Sequence, residues 1–256
     1  MFLFTKYLPR KLNNVLFGDR KTFGLEVDKE DKDWISWLST YHDFYMNTQK
    51  KGVGKYVNNA GYKILREVDL QDKVVLEIGP GSLPHIDYIN GTPVNYIVAD
   101  IDNNFIKSSI TKLTEHGIPS EGKLIKNRKD FSVDGLDYKS VDIIITFYSL
   151  EHLYPLDPYL EQYKKYLKTD GIIVGSVPCE GGLAWGLGRY ITSRRWLLKN
   201  TNINPDKIIC WEHPNFVSKI KNSLDSKFIS IKSKFFPLIF RSGDFNLVFS
   251  FIYKNK

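Results

Sequence analysis

Val74-Val75-Leu76-Glu77-Ile78-Gly79-Pro80-Gly81-Ser82 reads as a buried β-branched run that ends in an acid and passes into a tight turn with glycines on alternate positions. This is how an open α/β sheet delivers a strand end to a nucleoside cofactor, because glycine tolerates φ > 0 and lets a ligand lie close to the backbone. A dinucleotide site would favour the full G-x-G-x-x-G pattern, with bare amides facing a pyrophosphate. Here Pro84 stands where that third glycine would fall. The acid two residues before Gly79 would face the cationic end of a ligand. The turn therefore suits a positively charged nucleoside such as S-adenosylmethionine.

Around this stretch, strand and helix alternate. The pattern predicts strands over Val74–Ile78, Asn95–Ala99, Lys123–Lys126, Val141–Phe147 and Gly171–Val177. Helices are expected over Leu83–Asn90, Asn103–His116 and Pro158–Leu167, with Thr169-Asp170-Gly171 as a turn. Such alternation implies a mostly parallel sheet covered on both faces. Upstream, Trp34, Trp37, Leu38, Tyr41, Phe44 and Tyr45 fall at helical spacing in a helix over Asp33–Met46, suited to core packing or to a lid. Gln49–Lys55 holds Gly52 and Gly54 and reads as a turn, and Val57–Val68 as a second helix. Downstream, the rhythm breaks over Pro178–Glu212, which is too long for an ordinary connection. Pro214–Leu224 then reads as a helix, and Ser230–Phe235 and Phe245–Tyr253 as an antiparallel pair joined by Arg241-Ser242-Gly243-Asp244.

Three acids follow three successive strands: Glu77, Asp100 and Asp130. In a doubly wound sheet these strand ends share one crevice. A ribose diol, an exocyclic adenine amine and an ammonium each call for a carboxylate acceptor. Asp102 reads as the cap of the helix starting at Asn103.

On these residues the chain resembles the class I S-adenosylmethionine-dependent methyltransferases. The likeness rests on Val75-Leu76-Glu77-Ile78-Gly79-Pro80-Gly81, Ile97-Val98-Ala99-Asp100-Ile101-Asp102, Asp130-Phe131, and Val141-Asp142-Ile143-Ile144-Ile145 running on to Ser149-Leu150-Glu151-His152. It covers roughly residues 57–167, with a family-like finish from Pro214 onward. The family usually carries a third glycine where this chain has Leu83, which alters the turn without excluding binding. The resemblance implies that Gly79 and Gly81 let the cofactor lie against the backbone. It implies that Glu77 orders the methionine end, that Asp100 takes the ribose hydroxyls with Ile101 against the adenine, and that Asp130 and the Phe131 amide meet the base. Phe147 would border the methionine chain.

Methyl transfer from a sulfonium is an in-line displacement that needs a held nucleophile and excluded water. An oxygen nucleophile also needs a base, and histidine is tuned for that near neutral pH. His152, just beyond the fourth strand, is the first candidate; His213, in Trp211-Glu212-His213-Pro214, is the second; Tyr148 and Glu151 follow. His42, His85 and His116 read as surface or packing residues. Some family members place a Glu-x-x-Glu-His metal set after the fourth strand. Here Tyr148 occupies its first position, so no required metal is expected. The Asn/Asp-Pro-Pro-aromatic tetrad of base-modifying enzymes is replaced by Thr146-Phe147-Tyr148-Ser149, and the paired glutamates of arginine methyltransferases are missing. Nucleic acid is therefore not the expected substrate.

The insertion supplies a substrate hypothesis. Arg189, Arg194, Arg195 and Lys199 accompany Trp185, Tyr190 and Trp196. Arginines grip phosphate and aromatics stack on rings, which suits an anionic, carbohydrate-like acceptor such as a nucleotide-sugar or surface-polysaccharide precursor. A solvated basic face on a packing helix is the plainer use of the same residues.

Bulk properties agree with one α/β domain. The chain has 256 residues, 42% hydrophobic and 14% aromatic content, and a formal charge of +7. That charge is uneven, with a basic start and a basic tail after Lys219. No apolar run approaches the ~18 residues of a membrane span, and Cys179 and Cys210 suit a reducing cytoplasm without forming a metal cluster. The expectation is a doubly wound, seven-strand mixed sheet with a helical cap. Residues 1–55 and the insertion 178–212 would form the cap, 56–177 the cofactor-binding core, and 213–256 a helix and antiparallel strand pair. The rival reading is a binding protein or RNA methyltransferase that applies its basic face to nucleic acid.

Overall fold

The structure is a computed structural model that describes residues 1, 3–44, 52–125 and 132–256. Asp130, Phe131, Tyr45, Met46 and the 49–51 part of the expected turn lie outside the described residues.

The first strand, β1 (Val74–Ile78), spans the apolar run quoted above. β2 (Asn95–Asp100) pairs parallel to it on one side and β4 (Val141–Phe147) on the other. β3 (Ser120–Leu124) lies outside β2, and β5 (Leu167–Pro178) outside β4, all parallel. The chain then reverses: β7 (Val248–Asn255) runs antiparallel to β5, and β6 (Phe228–Phe236) antiparallel to β7. The seven-stranded order is β3-β2-β1-β4-β5-β7-β6. This is the expected doubly wound mixed sheet.

Neighbouring residues on the central strands serve opposite faces, as the two-residue strand period requires. Leu76, Ile97, Ile144 and Ile173 pack with α6 (Leu156–Tyr166) and α10 (Val217–Lys227) through Leu160, Tyr163, Ile220 and Leu224. Val75, Val98, Ile143, Ile145 and Val174 pack on the other face with Tyr62 of α4 (Gly52–Tyr62), with Leu65, and with Ile106 and Leu113 of α5 (Asn103–Glu115). Each fully buried branched side chain contributes about 1.5–3 kcal/mol of burial free energy.

A third apolar cluster builds a cap. It joins Trp37 and Phe44 of α3 (Lys32–Phe44) to Leu197, Ile203, Ile208 and Trp211 from the insertion. The insertion is helical: α7 (Leu183–Arg189), a π turn over Tyr190–Arg194, α8 (Arg195–Asn200) and α9 (Pro205–Glu212), the last capped by Asn204. α1 (Arg10–Phe17) and α2 (Arg20–Phe23) pack against it. The aromatic stripe is thus divided, with Trp37 and Phe44 buried while Leu38 and Tyr41 face solvent.

Several expectations are corrected. No long helix follows the glycine turn: Leu83 takes φ +50°, Pro84 follows, and only a 3-10 turn forms over Ile86–Tyr88. The family's third glycine would fit that left-handed conformation without strain, whereas Leu83 offsets the strain by complete burial. Thr169-Asp170-Gly171 is not a turn between elements. It lies within β5, where the register against β4 jumps from Val141↔Leu167 to Ile143↔Ile172. Gly52 and Gly54 open α4 rather than a turn, because that helix docks on β5 and β7. β7 begins at Val248, so the connection from β6 spans residues 237–247.

β5 approaches β4 so closely at Gly175 that a Cβ there would collide with the Thr146 carbonyl oxygen. Gly175→Ala is therefore expected to lower Tm by roughly 5 °C or more in a calorimetric melt.

Candidate active site

The parallel arrangement sends the carboxyl ends of β1, β2, β4 and β5 to one edge of the sheet, and the site is built there. At the end of β1 the chain turns through Gly79 (φ +68°) and Gly81 (φ +56°). The Gly79 N–H donates to Ala99 O at 3.0 Å, and Lys112 Nζ and Ser109 Oγ of α5 hold the Ser82 and Gly81 carbonyls. A Cβ built on Gly81 would meet nothing within 4 Å, so this turn faces open space that a ligand can enter. Asp100 ends β2, largely buried, and its Oδ1 accepts the Asp102 N–H at 2.9 Å. Asp102 caps α5 through the Asn104 N–H, and Ile101 stands exposed beside them.

Glu77 sits deeper than the sequence suggests. Only 1% exposed, it accepts the Tyr96 hydroxyl at 2.6 Å on Oε2. Burial and the Glu77 charge push the Tyr96 phenol well above its ordinary pKa. His85 Nε2 lies 2.9 Å from Glu77 Oε1, both side chains almost wholly buried. His85 packs on Phe147 and Tyr62, with ring centroids 4.9 and 5.5 Å away. It is the packing histidine that the sequence suggests, yet it also faces an acid. The sequence distance between Glu77, His85 and Tyr96 concealed that link.

The glycine turn with open space above it, the Asp100 carboxylate at the adjacent strand end and the buried Glu77 carboxylate at the end of β1 fit an S-adenosylmethionine-type ligand. Gly79, Gly81, Asp100, Ile101 and Phe147 are the described residues that would hold it. Asp130 and Phe131 fall outside the described residues.

Beyond β4 and β5, two residues far apart in sequence meet. His152 follows β4 on a 3-10 turn, and His213 follows α9. Their rings stand edge to face, 4.8 Å apart. His152 Nδ1 donates to the Glu212 carbonyl at 2.5 Å, and His213 Nδ1 to Glu180 Oε2 at 2.9 Å. In each neutral ring Nδ1 then carries the proton, leaving Nε2 with the lone pair a base requires. Glu180 also accepts the Trp185 indole N–H, and Glu212 accepts that of Trp37 at 2.6 Å, so the cap reaches the histidines through two tryptophans. Asn215 Nδ2 donates to Leu150 O and Leu153 O and fixes the turn that carries His152.

Three glutamates surround the pair. Burial would raise the Glu180 carboxyl, but its bond to His213 and the nearby Arg20 and Arg189 cations hold it below the ordinary value. Burial pushes Glu151 up to about 7, against the opposing pull of His152, and its Oε2 has no partner. Donor atoms of His152, Glu212 and His213 lie within 4.8 Å of one another, a spacing at which groups can share a cation. Glu180 and Glu212 escaped the sequence reading because only folding brings them beside the histidines. The one local signal was that Glu212 precedes His213.

Tyr148 occupies an unfavourable φ of +51°, its hydroxyl donates to Asn58 O at 2.9 Å, and burial raises its pKa. Its oxygen is thereby engaged in holding α4, unlike the base candidate the sequence suggests. Two of the arginines are corrected more firmly. Arg189 is buried and donates to Val15 O, Leu16 O, Pro205 O and Asp206. Arg194 grips both oxygens of the same Asp206 at 2.9 Å. Arg189 clamps α1 to α9 and Arg194 braces Asp206 of α9, instead of presenting guanidinium groups to a ligand. Arg195 is exposed, and Trp185 is partly buried beside Glu180.

The chain's residues 51–220 match the family model described as a methyltransferase domain, so the chain belongs to that family. Its sheet is that of the class I S-adenosylmethionine-dependent enzymes. Solved structures share the fold at low identity. An N-methyltransferase, NodS, from Bradyrhizobium japonicum WM9, in complex with S-adenosyl-L-homocysteine, is 13% identical with a TM-score of 0.56, covering 86% of this chain and 98% of that one. A SAM-dependent methyltransferase from Methanosarcina mazei is 18% identical with a TM-score of 0.51, covering 75% and 96%. One from Mesorhizobium loti is 14% identical with a TM-score of 0.50, covering 77% and 100%. No curated protein matches the chain. No helix among the described residues is long and apolar enough to cross a membrane.

Glu151 gives a pH signature. Its folded pKa lies above the unfolded value near 4.5, so the proton it retains stabilises the fold fully below that value, and the contribution is lost as pH rises through about 7. Glu151→Gln should therefore melt above wild type at about pH 8, by up to about 3 kcal/mol, and match it more closely at about pH 5, as read by calorimetry. Arg189→Ala leaves three carbonyls without their buried donor and Asp206 with Arg194 alone. It is expected to cost about 3–5 kcal/mol in denaturant unfolding, rather than simply to raise a substrate KM.

Proposed function

We propose that this chain transfers the methyl group of S-adenosylmethionine to an oxygen of a small anionic or carbohydrate-like acceptor, such as a nucleotide-sugar or a surface-polysaccharide precursor, in the cytoplasm. The observation that carries the reading is the His152–His213 pair at the sheet edge that also bears the glycine turn and Asp100. Bound there, S-adenosylmethionine supplies an electrophilic methyl on a sulfonium. Asp100 would accept the ribose hydroxyls, and the Gly79–Gly81 turn would leave room for the amino-acid portion.

The protein's part is positioning and proton removal. A hydroxyl acceptor must lose its proton as it attacks, and Nε2 of His152 or His213 is the lone-pair nitrogen available for it. Glu180 holds His213 in that tautomer and stabilises the imidazolium once the proton arrives. The cap, through Trp37 and Trp185, closes one side and helps to exclude water. The anionic character of the acceptor rests on the exposed Arg195 and Lys199, since Arg189 and Arg194 are both engaged by Asp206.

Calorimetric titration with S-adenosylhomocysteine should show binding that Asp100→Ala weakens at least about ten-fold. With an acceptor found by panel screening, His152→Ala or His213→Ala should lower kcat by about 10²–10⁴ while leaving that affinity intact. Absence of any S-adenosylhomocysteine binding would defeat the reading.

A further inference from the structure

We propose that the connection between β6 and β7 is a docking tip for an anionic lipid surface. Its outer side chains are large and apolar: Ile239 is 99% exposed, Phe240 is 53% exposed, and Leu238 and Phe245 are exposed beside them. Phe4 of the short 3-10 helix Phe4–Tyr7 joins the cluster, its ring 6.3 Å from Phe245, which lies 6.0 Å from Phe240. Tyr7 is exposed on the same short helix, and Tyr56 stacks on Phe236 at the root of the connection with much of its ring still in solvent.

The tip is held in shape with these residues turned outward. Asn246, fully buried, accepts the Leu238 N–H at 2.7 Å and donates to the Phe240 and Ser242 carbonyls at 3.1 and 2.8 Å. Asp244, also buried, accepts the Phe4 N–H at 2.9 Å and ties the two segments together. A loop whose backbone groups are satisfied internally, yet which keeps Leu-Ile-Phe in water, has an apolar patch awaiting an environment.

Charge says which environment. Residues 232–247 contain Lys232 and Lys234, both paired with Glu67, and Arg241, which is not, while their single acid, Asp244, is buried. Residues 3–12 contain Lys6, Arg10 and Lys11 and no acid. Arg241 and Lys221 line a groove of about 350 Å³ with Phe4. Lys6 and Arg241 are exposed, and neither makes an ion pair among the described residues. Large apolar and aromatic side chains flanked by Lys6 and Arg241 match the boundary between acyl chains and anionic headgroups, whereas Arg10 and Lys221 are engaged by Asp19 and Asp225. A partner made of neutral apolar surface would not use the cations. Since β7 pairs antiparallel with β5, with Val248 opposite Pro178, the tip lies at the sheet edge that carries the glycine turn and the histidine pair. Docking would therefore hold the crevice edge near the headgroups.

Sedimentation of the full chain with vesicles of phosphatidylglycerol and phosphatidylcholine tests this. Wild type should bind them and not pure phosphatidylcholine vesicles. Ile239→Ser with Phe240→Ser, and separately Lys6→Glu with Arg241→Glu, should each weaken binding at least about ten-fold, with Tm and S-adenosylhomocysteine affinity unchanged. Failure of wild type to bind, or binding that ignores both pairs of substitutions, overturns the proposal. So does a dimer in analytical ultracentrifugation that Ile239→Ser dissociates, because a second copy would then be what covers the tip.

Discussion

The parallel hydrogen-bond register of β1, β2, β4 and β5 is the constraint on which everything else depends. Parallel strands must be buried on both faces, so their side chains read as nearly continuous apolar runs with few polar groups among them. What polarity the core elements carry is pushed to the strand ends. Because the strands share a direction, Glu77, Asp100 and the residues after Phe147 and Pro178 emerge along one edge. The antiparallel β7 then returns the β6–β7 connection to that same edge, so the apolar tip and the crevice share it for one topological reason.

At that edge the protein tolerates unusual electrostatics. Glu77, Glu151 and Glu180 are all nearly inaccessible, and each reaches a different compromise. Glu180 stays charged because a histidine and two buried arginines surround it. For Glu151, desolvation outweighs the pull of His152 and a backbone hydrogen bond, and pushes the carboxyl towards neutrality. Glu77 accepts a tyrosine hydroxyl on one oxygen and has His85 Nε2 2.9 Å from the other. Carboxylates that differ so much within one crevice are a mark of functional sites, where burial and neighbours set protonation.

The cap illustrates how one residue type serves opposite ends. Arg189 and Arg194 read as ligand-binding residues from composition alone, yet both serve Asp206, and Arg189 also holds the carbonyls that join α1 to α9. Arginine at a helix–helix junction can satisfy several acceptors at once, which is the same property that makes it a phosphate binder. Only the position of Asp206, several residues further along the chain, distinguishes the two uses.

Most central strands were legible in the amino-acid sequence because apolar runs and glycine-marked ends are local signals, although β3 lies about three residues earlier than expected, and the strand order came only with the structure. β1 and β4 begin and end where the pattern puts them, and Asp102 caps α5 as its spacing suggests. The glycine turn and Asp100 were legible for the same reason: each sits within a few residues of the strand that positions it. Tertiary structure alone decided the rest. Leu83 holds a left-handed backbone because its side chain is wholly buried, Thr169–Gly171 stays within β5 because β4 captures both sides of the irregularity, and Glu180 meets His213 because a helical insertion folds back over the sheet. These outcomes depend on contacts between residues distant in the chain, and such contacts leave no periodic trace for a one-dimensional pattern to record.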